Sequence, residues 1–286
     1  MKLNLENNME SCKILKVNNE KKDVNEIERN LITKYRKTIW SPFIKGVKEY
    51  NLIEEGDKIA VCISGGKDSF LLAKCIEELQ KHSKIKFDVE YIAMNPGFND
   101  YNLTLLQNSA NDLNINLKIF ETKIFDIVEK IAKDYPCYMC AKMRRGSLYD
   151  YAQKLGCNKI ALGHHFDDII ETTMMNLLYA GKFATMLPKV ESTNYENMTL
   201  IRPLVYVREN DIKKFTVENG IPVMNCGCVV AAQKTSSKRR EVKELLENLR
   251  KIDKDIDKSI FSASKNVNLD SIIRYKKNHE YINNIK

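Results

Sequence analysis

A strand-like run, Ile59-Ala60-Val61-Cys62-Ile63, leads directly into Ser64-Gly65-Gly66-Lys67-Asp68-Ser69, and the next stretch carries Phe70, Leu71, Leu72, Cys75, Ile76 and Leu79 at helical spacing. Two glycines let a backbone approach an anion closely. The free N–H groups of a helix start point at it, and a lysine with two serine hydroxyls adds charge and donors. A Gly-Gly pair alone is a tight turn; in register with Lys67, Asp68 and two serines, after a strand and before a helix, it is a phosphate site. Asp68 follows Lys67 where a Walker loop has Ser or Thr, so the loop need not belong to a γ-phosphate transferase.

A second strand-like run, Lys159-Ile160-Ala161-Leu162, ends in Gly163-His164-His165-Phe166-Asp167-Asp168 and opens another helix. Imidazoles and carboxylates then stand at the same sheet edge as the phosphate loop. Carboxylates are hard oxygen ligands for the Mg²⁺ that accompanies ATP. Asp167 is equally suited to capping the helix that runs to Ala180.

Of eight cysteines, Cys137-Tyr-Met-Cys140 has metal-ligand spacing, after Pro136 and at the head of a helix that carries Lys142, Arg144 and Arg145. Two thiols three apart at a helix start converge on one centre, and the helix end favours their thiolates. Cys226 and Cys228 offer a third and a fourth ligand. A four-thiolate structural zinc, a redox-active Cys-x-x-Cys and an iron–sulfur cluster with one open iron all fit this set. Cys62 and Cys75 fall on a strand and a helix of the core and read as packing residues.

The elements that must hold these groups alternate. Strand-like runs at 58–63, 87–94, 117–121, 159–162 and 200–207 are separated by helical stretches at about 67–82, 101–113, 124–133, 141–155 and 167–180. That order predicts a doubly wound α/β domain with a parallel sheet, Rossmann-like, with ligands at the carboxyl ends of its strands. Residues 1–23 read as a flexible tail and 24–55 as a helical cover, one long helix with Ile27, Leu31, Tyr35, Ile39, Trp40 and Phe43 inward and an interruption at Pro42. Residues 56–225 form the ATP-binding domain, and 226–286 a Lys-rich helical region with an apolar stripe at Val242, Leu245, Leu246 and Leu249. The chain of 286 residues, 43% hydrophobic and 29% charged, has no apolar run long enough to cross a bilayer and no signal-like start, so it reads as cytoplasmic with no membrane partner. Its net charge of +8 suits an anionic partner without naming one.

Strand-Ser-Gly-Gly-Lys-Asp-Ser-helix resembles the PP-loop of the ATP pyrophosphatase (adenine nucleotide α-hydrolase) superfamily. The string Leu-Gly-His-His-x-Asp-Asp, Pro136-Cys-Tyr-Met-Cys-Ala-Lys-Met-Arg-Arg-Gly146 and the downstream Cys226 resemble its tRNA 2-thiolation family, in the 2-thiocytidine synthetase branch. The likeness runs from about Trp40 to the chain end and includes Ile201-Arg202-Pro203-Leu204 and Phe261-Ser262-Ala263. It implies cleavage of ATP between its α and β phosphates and transient transfer of AMP to the C2 oxygen of a pyrimidine, an anticodon-loop cytidine, followed by sulfur replacement. It further implies Lys67 and Asp68 as catalytic groups with Cys137 and Cys140, Asp168 as a magnesium ligand and His164 as an ATP contact, with His165 pointing elsewhere. Cys137, Cys140 and Cys226 would hold a [4Fe-4S] cluster, although Asn225-Cys226-Gly227-Cys228 departs from the family's usual spacing and keeps Cys228 and zinc in play. The implied partners are tRNA, a cysteine desulfurase or other sulfur donor, and a second copy of the chain. For the RNA, Arg144 and Arg145 are stronger candidates than Lys142, Lys238, Arg239 or Arg240. Two rival readings are an amidating ligase of the tRNA lysidine synthetase type, which needs no clustered thiols, and an ATP-regulated RNA-binding or iron-sensing protein.

Overall fold

The computed structural model describes residues 20–122, 124, 136–224, 236–277 and 280–284, with backbone only for 136–141 and 236–237. The chain divides into two compact units, Met1–Asp168 with Leu187–Ser237, and Ile169–Met186 with Lys238–Lys286.

The first unit opens with α1 (Val24–Ile32), a single π turn (Arg36–Trp40) and α2 (Ser41–Glu49). The expected single helix is thus two helices, and the break precedes Pro42. The Tyr35 carbonyl accepts from both Ile39 and Trp40, at 2.8 and 3.2 Å, while Pro42 sits in the first turn of α2, where a missing N–H costs nothing. Ile27, Leu31, Tyr35, Ile39 and Phe43 are all buried in one core with Phe70, Leu71 and Phe215, which makes the cover an integral wall of that core. Lys74, fully buried, ties α1 to the helix it lies on through Glu28 at 2.5 Å and Glu77 at 2.6 Å.

The sheet strands are β1 (Lys58–Cys62), β2 (Asp88–Asn95), β3 (Leu117–Glu121), β4 (Lys159–Ala161), β5 (Lys189–Glu191) and β6 (Thr199–Ile201), in the order β3-β2-β1-β4-β6-β5. All pairs are parallel except β5 with β6. The connecting helices are α3 (Lys67–His82), α4 (Asp100–Asp112), α5 (Pro136–Lys154), α6 (Phe166–Ala180) and α7 (Glu209–Glu218). Ile59, Ala60 and Val61 are inaccessible, as expected of a central strand covered on both faces. The order reverses direction between β1 and β4, and ligands of such sheets bind in the crevice at that switch point.

Two short elements, β5 and α7, are not foreseen in the sequence reading. The expected strand at 200–207 is β6 followed by turns, in which the Arg202 and Leu204 carbonyls accept from Val205 and Val207. Its apolar run is buried all the same, with Leu204, Val205 and Val207 at 0% exposure, so burial without regular pairing mimics a strand. The expected helix at 124–133 lies outside the described residues except Ile124, which is helical and buried.

In the second unit, α8 (Ser236–Ile252) and α9 (Ile256–Ala263) follow the expected helical pattern, with Val242 and Leu246 buried. The helical region does not run to the end, however. β7 (Arg274–Lys277) and β8 (Glu280–Asn283) form an antiparallel ribbon, where β-favouring Tyr275, Tyr281 and Ile282 outweigh the helix-forming lysines between them.

Candidate active site

The phosphate loop occupies the turn between β1 and α3. Gly66 is the N-cap of α3, and Gly65 has φ +83°, a left-handed conformation that favours glycine. A Cβ on Gly65 would collide with the Met224 side chain, and the Met224 amide donates to the Gly65 carbonyl at 2.8 Å. The loop is therefore clamped from outside by the segment that leads toward Cys226. Ser69 braces it from within: its hydroxyl donates to the Gly66 carbonyl at 2.8 Å and accepts from the Ser64 amide at 3.2 Å.

Lys67 lies between two acids, Asp68 at 3.0 Å and Glu209 at 3.3 Å. Burial alone would lower its pKa, but the two carboxylates outweigh burial and hold it above the usual lysine value. Glu209 is absent from the sequence-based candidates. The signal was there, because Arg208-Glu209-Asn210-Asp211 places two acids in the first turn of a helix, yet nothing in it pointed to Lys67.

The second turn meets the first at atomic contact. A Cβ on Gly163 would lie 3.0 Å from the Asp68 carbonyl carbon and oxygen and 3.1 Å from the Ser69 nitrogen, so any side chain there would push the two turns apart by a few tenths of an ångström. His165 does not point away, contrary to the expectation from its neighbour. It is buried, with Nε2 3.7 Å from Asp68 Oδ1 and Nδ1 3.5 Å from Asp168 Oδ2. Nδ1 accepts from the Asp168 amide at 3.3 Å while Asp168 Oδ2 accepts from the His165 amide at 3.0 Å. This is a capping box with histidine as the N-cap and Asp168 as N3, and it assigns the ring proton to Nε2, on the Asp68 side. His164 is half-buried at the end of β4.

Asp167 has a structural partner on a different helix from its own. Its Oδ2 accepts from the Glu209 amide at 2.8 Å, and Arg208 stands 3.8 Å from Oδ1, so it caps α7 rather than α6. By this bond the second turn also fixes the acid that faces Lys67. Asp68 Oδ1 is buried with no hydrogen-bond partner, and with the Asp168 carboxylate it gives hard oxygens at the edge where phosphates would lie.

Cys137 and Cys140 are in the first turn of α5. That helix ends beside the amino edge of the sheet, where Lys58 Nζ donates to the Leu155 carbonyl at 2.7 Å. Six residues on from Cys137, Met143 packs with Met94 at the carboxyl end of β2. The helix start therefore extends past the carboxyl edge, the edge that carries the phosphate loop. Cys226 and Cys228 lie outside the described residues. Cys62 and Cys75 are buried, as expected, and desolvation holds both thiols well above their ordinary pKa. Arg144 is half-buried and Arg145 exposed. Arg239 is not a free cation: its Nε is 2.7 Å from Glu171, a buried acid that Lys243 also approaches at 3.5 Å.

Residues 27–225 match the sequence model of the PP-loop domain. The chain belongs to the PP-loop family. Among relatives of this PP-loop protein, the tRNA-cytidine(32) 2-sulfurtransferase of Geotalea uraniireducens is 36% identical over 255 residues, spanning 87% of this chain and 99% of the relative. Those of Syntrophotalea carbinolica and Shewanella woodyi are 37% and 39% identical, covering 78% and 82% of this chain and 86% and 73% of their own. These values also make the PP-loop protein a member of the family those relatives form. The U34-tRNA thiolase NcsA from Methanococcus maripaludis, solved with its [4Fe-4S] cluster, shares the fold with a TM-score of 0.62 at 23% identity, over 85% of this chain and 78% of that one.

Proposed function

We propose that this chain is an ATP-dependent tRNA sulfurtransferase that adenylates the C2 carbonyl oxygen of an anticodon-loop cytidine and replaces that oxygen with sulfur. The observation that carries the reading is the convergence on one sheet edge of the phosphate loop, the Gly163–Asp168 turn, the start of α5 and, through Met224, the chain leading to Cys226.

The loop amides and Lys67 hold the triphosphate, and the base oxygen attacks the α-phosphorus. The bond to the β-phosphate breaks, pyrophosphate leaves, and the C2 oxygen becomes part of a good leaving group. Lys67, held protonated by Asp68 and Glu209, offsets the charge that builds on the phosphates. His165 fixes Asp168 through the capping box and presents its Nε2–H toward Asp68, which keeps both acids oriented. A sulfur nucleophile then adds at C2 and AMP departs with the original oxygen. Mg²⁺ bound at Asp68 or Asp168 would supply charge neutralisation. A [4Fe-4S] cluster on Cys137, Cys140 and Cys226 would hold the incoming sulfur, which a separate donor replaces at each turnover. Arg144 and Arg145, one to two turns along α5 from the cysteines, contact RNA phosphate, and His164 contacts the nucleotide.

The test is anaerobic purification with iron, zinc and sulfide analysis, paired with pyrophosphate release on adding tRNA. Iron and sulfide together, tRNA-stimulated release, and loss of thiolation in Cys137→Ala are expected. Stoichiometric zinc without sulfide removes the sulfur role, and full modifying activity in Cys137→Ala points to an amidating ligase.

A further inference from the structure

The ribbon of β7 and β8 has two unlike sides. Its strands are antiparallel, with Arg274 opposite Asn283, Tyr275 opposite Ile282, Lys276 opposite Tyr281 and Lys277 opposite Glu280. Side chains alternate along a strand and opposed residues share a face. Arg274, Lys276, Tyr281 and Asn283 therefore stand on one side, and Tyr275, Lys277, Glu280 and Ile282 on the other. The apolar residues of the second side are the more covered ones. Tyr275 is half-buried and Ile282 37% exposed, whereas Tyr281 on the first side is 63% exposed. The first side is the one that faces water, and it holds an aromatic ring there.

Charge divides in the same way. The single carboxylate of the two strands, Glu280, is on the second side, across from Lys277. The first side carries cations alone, and both gather on the ring. The Arg274 guanidinium carbon is 4.7 Å from the Tyr281 centroid and Lys276 Nζ 5.7 Å. Among the described residues neither cation has a carboxylate within ion-pair distance. The register that brings them together is fixed at the open end of the ribbon. There the Asn284 amide donates to the Ile273 carbonyl at 3.0 Å, and its side chain donates to the Ile272 carbonyl at 2.8 Å.

We propose that this side of the ribbon is a stacking platform for an unpaired stretch of the RNA substrate, with a base on the Tyr281 ring and the adjoining phosphates on Arg274 and Lys276. An exposed ring takes the flat face of any base, and acid-free cations beside it take the polyanionic backbone. A duplex, whose bases already cover one another, offers the ring nothing. An apolar protein surface fits poorly, because burying this side against it would strip water from two cations that have no acid to pair with. The inference rests on the RNA-modifying reading above and adds a surface outside the ATP-binding turns.

The test uses the full-length protein and an unmodified tRNA transcript, with affinity measured at several salt concentrations and a single-stranded or duplex oligoribonucleotide as competitor. Tyr281→Ala is expected to weaken transcript binding roughly tenfold and to reduce the preference for the single-stranded competitor, while Tyr281→Phe, which keeps the ring, retains both. Arg274→Gln and Lys276→Gln are each expected to make the salt dependence shallower by about 0.7 of a unit of slope. All four changes are at exposed positions, and urea melts matching wild type show that the fold is kept. Transcript affinity unaltered in Tyr281→Ala, or equal competition by duplex and single strand, overturns the platform. Loss of self-association in Tyr281→Ala with transcript binding intact overturns it in favour of a second copy of the chain. Wild-type protein that binds no transcript defeats the parent reading, whereas binding indifferent to all four substitutions defeats only the platform.

Discussion

Gly163→Ala tests the contact between the two motif turns. The added methyl would stand 3.0 Å from two Asp68 backbone atoms and 3.1 Å from the Ser69 nitrogen, whereas ordinary contact begins near 3.4 Å. The two turns must separate by about 0.4 Å, and because the obstruction is backbone no rotamer change relieves it. Overpacking of this kind costs about 1–3 kcal/mol, which for a domain of this size lowers Tm by roughly 4–8 °C at the middle of that range. If a misplacement of about 1 Å costs roughly a hundredfold in rate, 0.4 Å costs about threefold to tenfold in kcat for AMP formation. Gly66→Ala is the comparison. Its Cβ would meet only the Ser64 hydroxyl at 3.6 Å, so the ligand-free protein loses roughly 0.5–1 kcal/mol of N-cap preference and no more. Thermal melts of both variants without ligand, followed by pyrophosphate release, give the answer. Equal melting temperatures for the two, or an unaltered kcat in Gly163→Ala, would refute the claim that backbone contact sets the distance between the loops.

His165→Ala removes the N-cap acceptor of α6 and should cost about 1 kcal/mol in a urea melt, with His165→Asn recovering most of it because asparagine caps well. Asp167→Ala should destabilise by about 1–2 kcal/mol and speed amide exchange at Glu209, since it leaves the first turn of α7 uncapped. For Lys67, the folded pKa is above the unfolded one, so its stabilisation is complete below about pH 10 and disappears as pH rises through the folded value. The stability gap between wild type and Lys67→Met should accordingly stay level from pH 7 to 10 and close above it in urea titrations. Glu171→Gln leaves Arg239 and Lys243 facing a neutral group and should lower stability by about 2–4 kcal/mol, seen as a reduced urea midpoint with the slope preserved.

What the sequence conveyed was local. Strand, turn and helix around Ser64–Ser69 and around Gly163–Asp168 are consecutive, and consecutive residues carry their own periodicity and capping signals. The partners of those turns are not consecutive. Glu209 reaches Lys67 across 142 positions, from 209 to 67, through a helix whose start Asp167 fixes, and neither acid advertises the other. His165 was expected to point elsewhere only because it neighbours His164, and the capping box that turns its ring toward Asp68 and Asp168 depends on contacts the string of residues does not state. The run at 202–207 looked like a strand because burial, not pairing, selects its apolar residues. Arg202 stood in the sequence only as part of Ile201-Arg202-Pro203-Leu204, and the burial of its Nε without a partner is visible only when its surroundings are known.

The phosphate loop holds two acids against its own lysine. Asp68 and Glu209 both pair with the ammonium of Lys67, the cation that a triphosphate would also engage. Nucleotide binding is then an exchange of counter-ions, carboxylate for phosphate, and its free energy is the difference between two pairings. A site of this kind discriminates against weak monovalent anions, which cannot displace a resident acid, and its affinity varies less with ionic strength than that of an unneutralised lysine.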